Sequence, residues 1–239
     1  MHPRVFDVPT NETLNFVRQY LPNQTSRILE VGCGNGEVAI ALQNAGFQVV
    51  AIDTSIEAIE NTKRLGIDAR KAEFPNFDES AFDAILFTRS LHHIHALWEA
   101  VEKTHQLLQP NGLVILEDFA FDEASKTTIE WLYGVTSLLN VSQQLNLNAD
   151  SFAKDLLLGK GDYEVWHENH HHDLHSAPTM FAELKKRFEP IAEFNAPYLY
   201  RYLCLLLNKN PNGFAIASQI LELEKRLAKL GKIDLIGRR

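Results

Sequence analysis

Cysteine is scarce in this sequence: Cys33 and Cys204 are the only two in 239 residues. So sparse a pair is no disulfide framework and reads as reduced thiols, which sets a cytoplasmic expectation. No run of about 18 apolar residues occurs, so a spanning helix is excluded and no membrane partner is expected. The longest apolar stretch, LCLLL at 203–207, is far too short. The opening MHPRVFDVPTNE has no apolar h-region, so a secretory leader is not expected. Basic excess is missing too. The 23 Lys and Arg against 31 Asp and Glu give a formal charge of −8. That is the wrong sign for a duplex nucleic-acid binder, and no nucleic-acid partner is expected. What is present is an ordinary globular composition, 45% hydrophobic and 10% aromatic. The length suits one elaborated domain, 1–239, able to bury a core without metal or disulfide.

Hydrophobic patterning predicts an N-terminal helical segment (1–25), with a helix from about Thr10 to Tyr20. From Arg27 short apolar strands alternate with helices: strands at 28–32, 49–53, 68–72, 82–87 and 113–116, helices at 37–44, 56–65 and 95–108. Near-continuous apolar strands separated by helices read as a parallel sheet covered on both faces. The fold class is therefore α/β, doubly wound, with a mostly parallel seven-stranded sheet and its ligand crevice at the strands' C-terminal ends. The cofactor-binding core is placed at 26–120. Residues 121–176 break the rhythm and read as a helical insertion after the fifth strand, a lid or substrate wall, against the plainer reading of a helical outrigger. Residues 177–239 complete the sheet: a helix at 178–187, a strand at about 190–194, a helix at 214–230 and a last strand at 233–237. Tyr200–Leu207 is the alternative final strand.

The most informative segment is Glu30-Val31-Gly32-Cys33-Gly34-Asn35-Gly36, between a strand and a helix. Glycines there let the chain turn tightly and let a ligand approach main-chain N–H groups. Asp53 ends the next strand, where a carboxylate accepts hydrogen bonds from both hydroxyls of a ribose. Together they point to an adenosine-containing cofactor. A dinucleotide loop carries a third glycine where this sequence has Glu37, and an acid at a helix start repels a pyrophosphate. No Lys-Ser/Thr follows the glycines, so a Walker loop is excluded. A nucleoside with a cationic sulfonium and no phosphate suits Glu30 and Glu37 better.

ILEVGCGNGE followed by VVAIDTS, then FDAILFTRSLHHI and LLQPNGLVILEDF, closely resembles the class I S-adenosylmethionine-dependent methyltransferases, especially their small-molecule branch, over residues 27–119. The resemblance implies methyl transfer from S-adenosyl-L-methionine to a small organic acceptor, leaving S-adenosyl-L-homocysteine, with the acceptor atom (O, N or C) undetermined. It implies roles residue by residue. Glu30, Gly32, Cys33 and Gly34 would line the methionine end, Asp53 would hold the ribose, and Thr54 would lie beside the adenine. Glu73 and Phe74 would stand at the adenine amine, where the family usually has Asp. Thr88, Arg89 and Ser90 would meet the methionine group, largely through backbone atoms. The rival is a non-catalytic S-adenosylmethionine-binding sensor or auxiliary subunit, which needs the same loop.

Five histidines, His167, His170, His171, His172 and His175, fall within nine residues. HENHH matches the H-E-x-x-H zinc signature formally, but its polar flanks lack the apolar helix that motif needs, and no metal is expected. His171 is retained as a substrate contact. His92 and His93 follow the fourth strand; His93 is the candidate general base and His92 a substrate contact, because imidazole titrates near neutrality. Trp131 in the insertion, with Tyr198 and Tyr200, would wall the acceptor pocket. Oligomeric state is not legible from the sequence.

Overall fold

The computed structural model describes residues 3–21, 26–79, 81–158, 163–170 and 174–239, the side chain of Asn169 aside. The chain divides into two compact units. One is formed by 10–118, 175–193 and Arg239; the other by 1–9, 119–174 and 194–238.

The first unit is the sheet. α1 (Asp7–Tyr20) leads into β1 (Arg27–Val31), α2 (Glu37–Asn44), β2 (Gln48–Asp53), α3 (Ile56–Arg64) and β3 (Asp68–Lys71). Then follow β4 (Phe82–Thr88), a 3-10 turn over Leu91–His93, α4 (Leu97–Leu107) and β5 (Leu108–Phe119), with α8 (Ala177–Leu184) later in the chain. β1 pairs in parallel with β2 and β4, β2 with β3, and β4 with β5. β1 and β4 are buried on both faces, with Ile28, Leu29, Ala84, Ile85, Leu86 and Phe87 all at 0% exposure, so near-continuous apolar runs are what they require. Ser55 caps α3, its side chain accepting from Ala58 N, and Ser176 caps α8.

The second unit is helical and aromatic. It holds α5 (Lys126–Val141), α6 (Ser151–Leu158), α7 (Tyr163–His170), α9 (Leu199–Leu206) and α10 (Pro211–Lys229), with β6 (Asn195–Ala196) and β7 (Gly237–Arg238). Its core joins Val5 and Val8 to Phe119, Phe121, Trp166, Tyr200, Leu203 and Ile236. The segment read as an insertion thus shares one core with both ends of the chain.

The strand order is β3-β2-β1-β4-β5-β7-β6, a seven-stranded sheet in which β6 pairs with β7 antiparallel. The expected class holds, with three local corrections. The strand expected at 190–194 is replaced by the two-residue β6. The strand expected at 233–237 shrinks to Gly237–Arg238. The alternative strand Tyr200–Leu207 is helical as α9. α9 is buried almost all round, and on such a surface apolar periodicity does not separate helix from strand. Its helical N-terminus is secured from far along the chain: Glu224 accepts the N–H groups of Tyr198, Leu199 and Tyr200 at 2.7–3.0 Å.

Candidate functional site

The glycine loop turns between β1 and α2. Gly32, Gly34 and Gly36 all have positive φ, which L side chains adopt only at a cost. Gly32 N and Cys33 N donate to Ile52 O at 2.8 and 3.0 Å, tying the loop to β2. The three glycines differ in what surrounds them. A Cβ on Gly36 would sit 2.8 Å from Thr62 of α3, and one on Gly32 would sit 2.5 Å from the Ser90 Cβ. A Cβ on Gly34 would meet nothing within 4 Å. Gly32 and Gly36 are thus glycines for packing, whereas Gly34 faces open space where a ligand can approach the backbone.

Asp53 closes the far side. Its Oδ2 accepts from Gly34 N at 3.0 Å and its Oδ1 from Ser55 N at 2.8 Å. Each oxygen keeps a lone pair for a further donor. Thr54 beside it is exposed. Ala72 N donates to Asp53 O at 3.0 Å, which brings the start of the 72–76 turn to the tip of β2. Within that turn Glu73 is exposed, and Phe74 is buried edge-on against Phe87.

Glu30 forms the floor. It is 1% exposed. Thr88 Oγ1 donates to its Oε1 at 3.1 Å, while its Oε2 has no hydrogen-bond partner. Burial pushes its carboxyl up to about 8, against the opposing effects of Thr88 and Arg89. An orphaned buried carboxylate oxygen at the foot of an open loop fits a cationic ligand group. Burial, with Glu30 second, pushes the Cys33 thiol up to about 12, so it is no nucleophile near neutral pH. Arg89 takes a positive φ of 64°, and its N–H donates to Glu117 O at 2.7 Å. Its guanidinium lies 3.4 Å from Glu117, a buried acid that also accepts from Thr13 and Arg239. Ser90 Oγ donates to Val31 O at 2.5 Å, so the turn after β4 is fastened to the glycine loop.

A family model described as a methyltransferase domain matches residues 9–180. The chain belongs to this methyltransferase-domain family. An uncharacterised methyltransferase of Oceanobacillus iheyensis is 31% identical over 47% of this chain and 56% of its own length. The 27-O-demethylrifamycin SV methyltransferase of Amycolatopsis mediterranei is 30% identical over 39% of this chain and 38% of its own. The chain therefore spans about half or less of the length of these curated relatives. Among solved structures, a putative sarcosine dimethylglycine methyltransferase from Galdieria sulphuraria aligns over 97% of this chain and 83% of its own with a TM-score of 0.55. At 15% identity that likeness shows the fold alone.

On this methyltransferase-domain scaffold the histidines separate. His92 is 5% exposed, and its Nδ1 lies 2.7 Å from Oδ1 of the fully buried Asp118 at the end of β5. His93 is exposed, its ring 4.0 Å from that of His92. Desolvation, then the neighbouring His92, hold His93 below the ordinary imidazole value. His175 donates its N–H to His92 O at 3.0 Å, and its Nε2 lies 3.1 Å from Ile94 O. His170 is buried in the helical unit, bonded to Trp166 O at 2.7 Å and Tyr202 OH at 2.8 Å. His171 lies outside the described residues. Among the described residues no group of His, Cys, Asp and Glu is arranged to hold a metal ion.

Of the expected acceptor-wall residues, Tyr198 is 7% exposed and stacks on Phe119 at 4.5 Å, Tyr200 is 1% exposed, and Trp131 packs against the same core. In their unit they act first as packing. The sequence reading missed Asp118 as a partner of His92. The signal for Asp118 was present, since a carboxylate ends the apolar strand 113–116. A groove of about 760 Å³ runs along β5 in the sheet unit, lined by Phe16, Leu113, Phe181, Leu184 and Phe188. None of the expected site residues lines it.

Proposed function

We propose that this chain moves a methyl group from S-adenosyl-L-methionine to a small organic acceptor, leaving S-adenosyl-L-homocysteine. The observation that carries the reading is the unpartnered, buried Oε2 of Glu30 beneath a glycine loop that is open at Gly34 and flanked by Asp53. When bound, the cofactor supplies a methyl group made electrophilic by its sulfonium. Glu30 faces the ammonium of the methionine moiety, and a carboxyl that ionises opposite an arriving cation suits that ligand and disfavours a pyrophosphate. Asp53 accepts hydrogen bonds from the ribose hydroxyls. Thr54 lies beside the adenine, with Glu73 and Phe74 near its amine. Thr88 holds the Glu30 carboxylate rather than touching the ligand, and Arg89 reaches the methionine group through its backbone, since its side chain is engaged by Glu117. Positioning an acceptor in line with the activated methyl is itself worth about 7–11 kcal/mol in reactions of this kind. The acidic chain supports a small acceptor over a nucleic acid.

Calorimetric titration with S-adenosylhomocysteine and, separately, NAD tests the reading. Binding of the first and not the second is expected. Asp53→Ala should weaken it by about 1.5–3 kcal/mol, the worth of hydrogen bonds to a charged group. Unchanged affinity in that variant removes the ribose assignment, and binding of NAD alone removes the reading.

A further inference from the structure

Two elements of the sheet unit end in groups that meet. The Leu91–His93 turn follows β4 and carries His92; the last residues of β5 include Glu117 and Asp118, just before its terminal Phe119. The Nδ1–Oδ1 approach of 2.7 Å joins an imidazole 5% exposed to a carboxylate at 0%. Such a pair is a poor device for stability, because desolvating both groups offsets their attraction and an apolar pair of similar volume does as well or better. It also stands where ligands bind in doubly wound sheets, at the carboxyl ends of the strands. Two residues before His92, Ser90 is fastened to Val31 O and fills the space beside Gly32, so the imidazole is tied to the loop assigned to the donor. A carboxylate at Nδ1 fixes the tautomer in which Nδ1 carries the hydrogen and Nε2 the lone pair. His93, the base expected from sequence, is held below the ordinary imidazole value by desolvation and by His92, with Asp118 opposing them only in part.

We propose that His92, oriented by Asp118, takes the proton that the methyl acceptor loses, and that the acceptor accordingly presents its reacting atom as a hydroxyl or an amine N–H. The inference rests on the methyl-transfer reading above and narrows its substrate class. The acceptor's lone pair forms the new bond to the methyl carbon as the C–S bond breaks, and that electron pair returns to sulfur. The acceptor's proton passes to Nε2 of His92, while the Nδ1 hydrogen stays with Asp118. The ring is then a cation beside a carboxylate and releases its proton to solvent before the next turnover. Asp118 does not touch the acceptor and is a positioning residue. Among the described residues, His93 lies against the ring and His175 reaches the turn through its backbone N–H.

The test uses wild type, His92→Gln and Asp118→Asn, each first titrated with S-adenosylhomocysteine. Failure of wild type to bind it defeats the methyl-transfer reading itself. With that ligand bound, long-range ¹H–¹⁵N correlation of histidine-labelled protein reads the ring. The proposal expects His92 protonated on Nδ1 in wild type, and the Nε2–H tautomer gaining population in Asp118→Asn. A wild-type ring protonated on Nε2 overturns it. In a second arm, a small-metabolite extract receives donor carrying a ¹³C methyl group, and the product's methyl chemical shift reports the acceptor atom. Methyl on oxygen or nitrogen is expected. Turnover in His92→Gln should be about 10²–10⁴-fold lower, the usual worth of a positioned base. Methyl on carbon, or full turnover in His92→Gln with ligand binding intact, overturns the proposal and leaves the methyl-transfer reading standing.

Discussion

Glu224 in the helical unit and Glu30 in the sheet unit are both deeply buried, and the two are treated differently. In the helical unit Glu224 is 0% exposed and saturated: Oε1 accepts from Tyr198 and Leu199, and Oε2 from Tyr200. In the sheet unit Glu30 has one hydroxyl donor on Oε1 and none on Oε2. Burial raises both carboxyls, Glu224 to about 7 and Glu30 to about 8. Three backbone donors and Arg201 moderate the first shift; Thr88, Arg89 and the backbone of Ala39 moderate the second. A buried acid whose lone pairs are filled by backbone belongs to the architecture. A buried acid left half-satisfied at the foot of an open loop is a receptor, and a free-energy gain is held back until a ligand arrives.

The contrast is broken most forcefully at Glu224. Glu224→Leu strands three buried N–H groups, each costing about 1–3 kcal/mol, so a loss of roughly 3 kcal/mol or more is expected in urea denaturation. Glu224→Gln keeps one acceptor oxygen and should lose less. If Glu224→Leu is neutral, the capping role is wrong. Next comes Glu30→Gln, which should weaken S-adenosylhomocysteine binding by about 1.5–3 kcal/mol while leaving the fold intact.

The same residue gives a pH signature. The unfolded carboxyl loses its proton near 4.5, whereas the folded one keeps it to about 8, so the native state binds more protons in that window. Its contribution to stability is full below 4.5 and declines as pH rises through the window, and ligand binding strengthens over the same range because the ionised form faces the ammonium. Melting temperatures of the free protein measured from pH 5 to pH 8 should fall, less steeply in Glu30→Gln; parallel profiles would refute the assignment. Glu224 adds a decline of the same sign between 4.5 and about 7, so the interval from 7 to 8 isolates Glu30.

Gly34→Ala should cost about 1–2 kcal/mol of folding stability, the price of a side chain in left-handed backbone. Gly36→Ala should cost more, since its Cβ also strikes Thr62. Equal midpoints for the two in thermal denaturation would show that the loop relaxes around either. The smallest effect concerns Cys33: with its thiol pushed up to about 12, alkylation by iodoacetamide at pH 8 should be far slower than that of a free thiol.

Much of the sheet was legible because β1, β2 and β4 are apolar runs bounded by glycine and acid, and Asp53 was legible because a carboxylate ending such a run has few structural uses. The helical unit was harder for physical reasons. Helix α7, YEVWHENH, is too polar for periodicity to announce, and its inward face is a tryptophan and a histidine that bond to backbone and a tyrosine. Helix α9 depends on an acid 24 to 26 residues away, a relation no local window contains. At the site, the adjacent pair His92-His93 was visible but not which member matters. In the proposal above that choice is made by Asp118, a residue of β5.

The hydrogen bond from Ser90 to Val31 O, beside Gly32, carries a practical consequence. It welds two pieces that an engineer would wish to adjust separately, the cradle under one reactant and the hook beside the other. Retargeting the chain to new acceptors by redrawing the 90–93 turn will therefore disturb donor affinity as well, and productive variants should be sought on surfaces that leave this weld untouched.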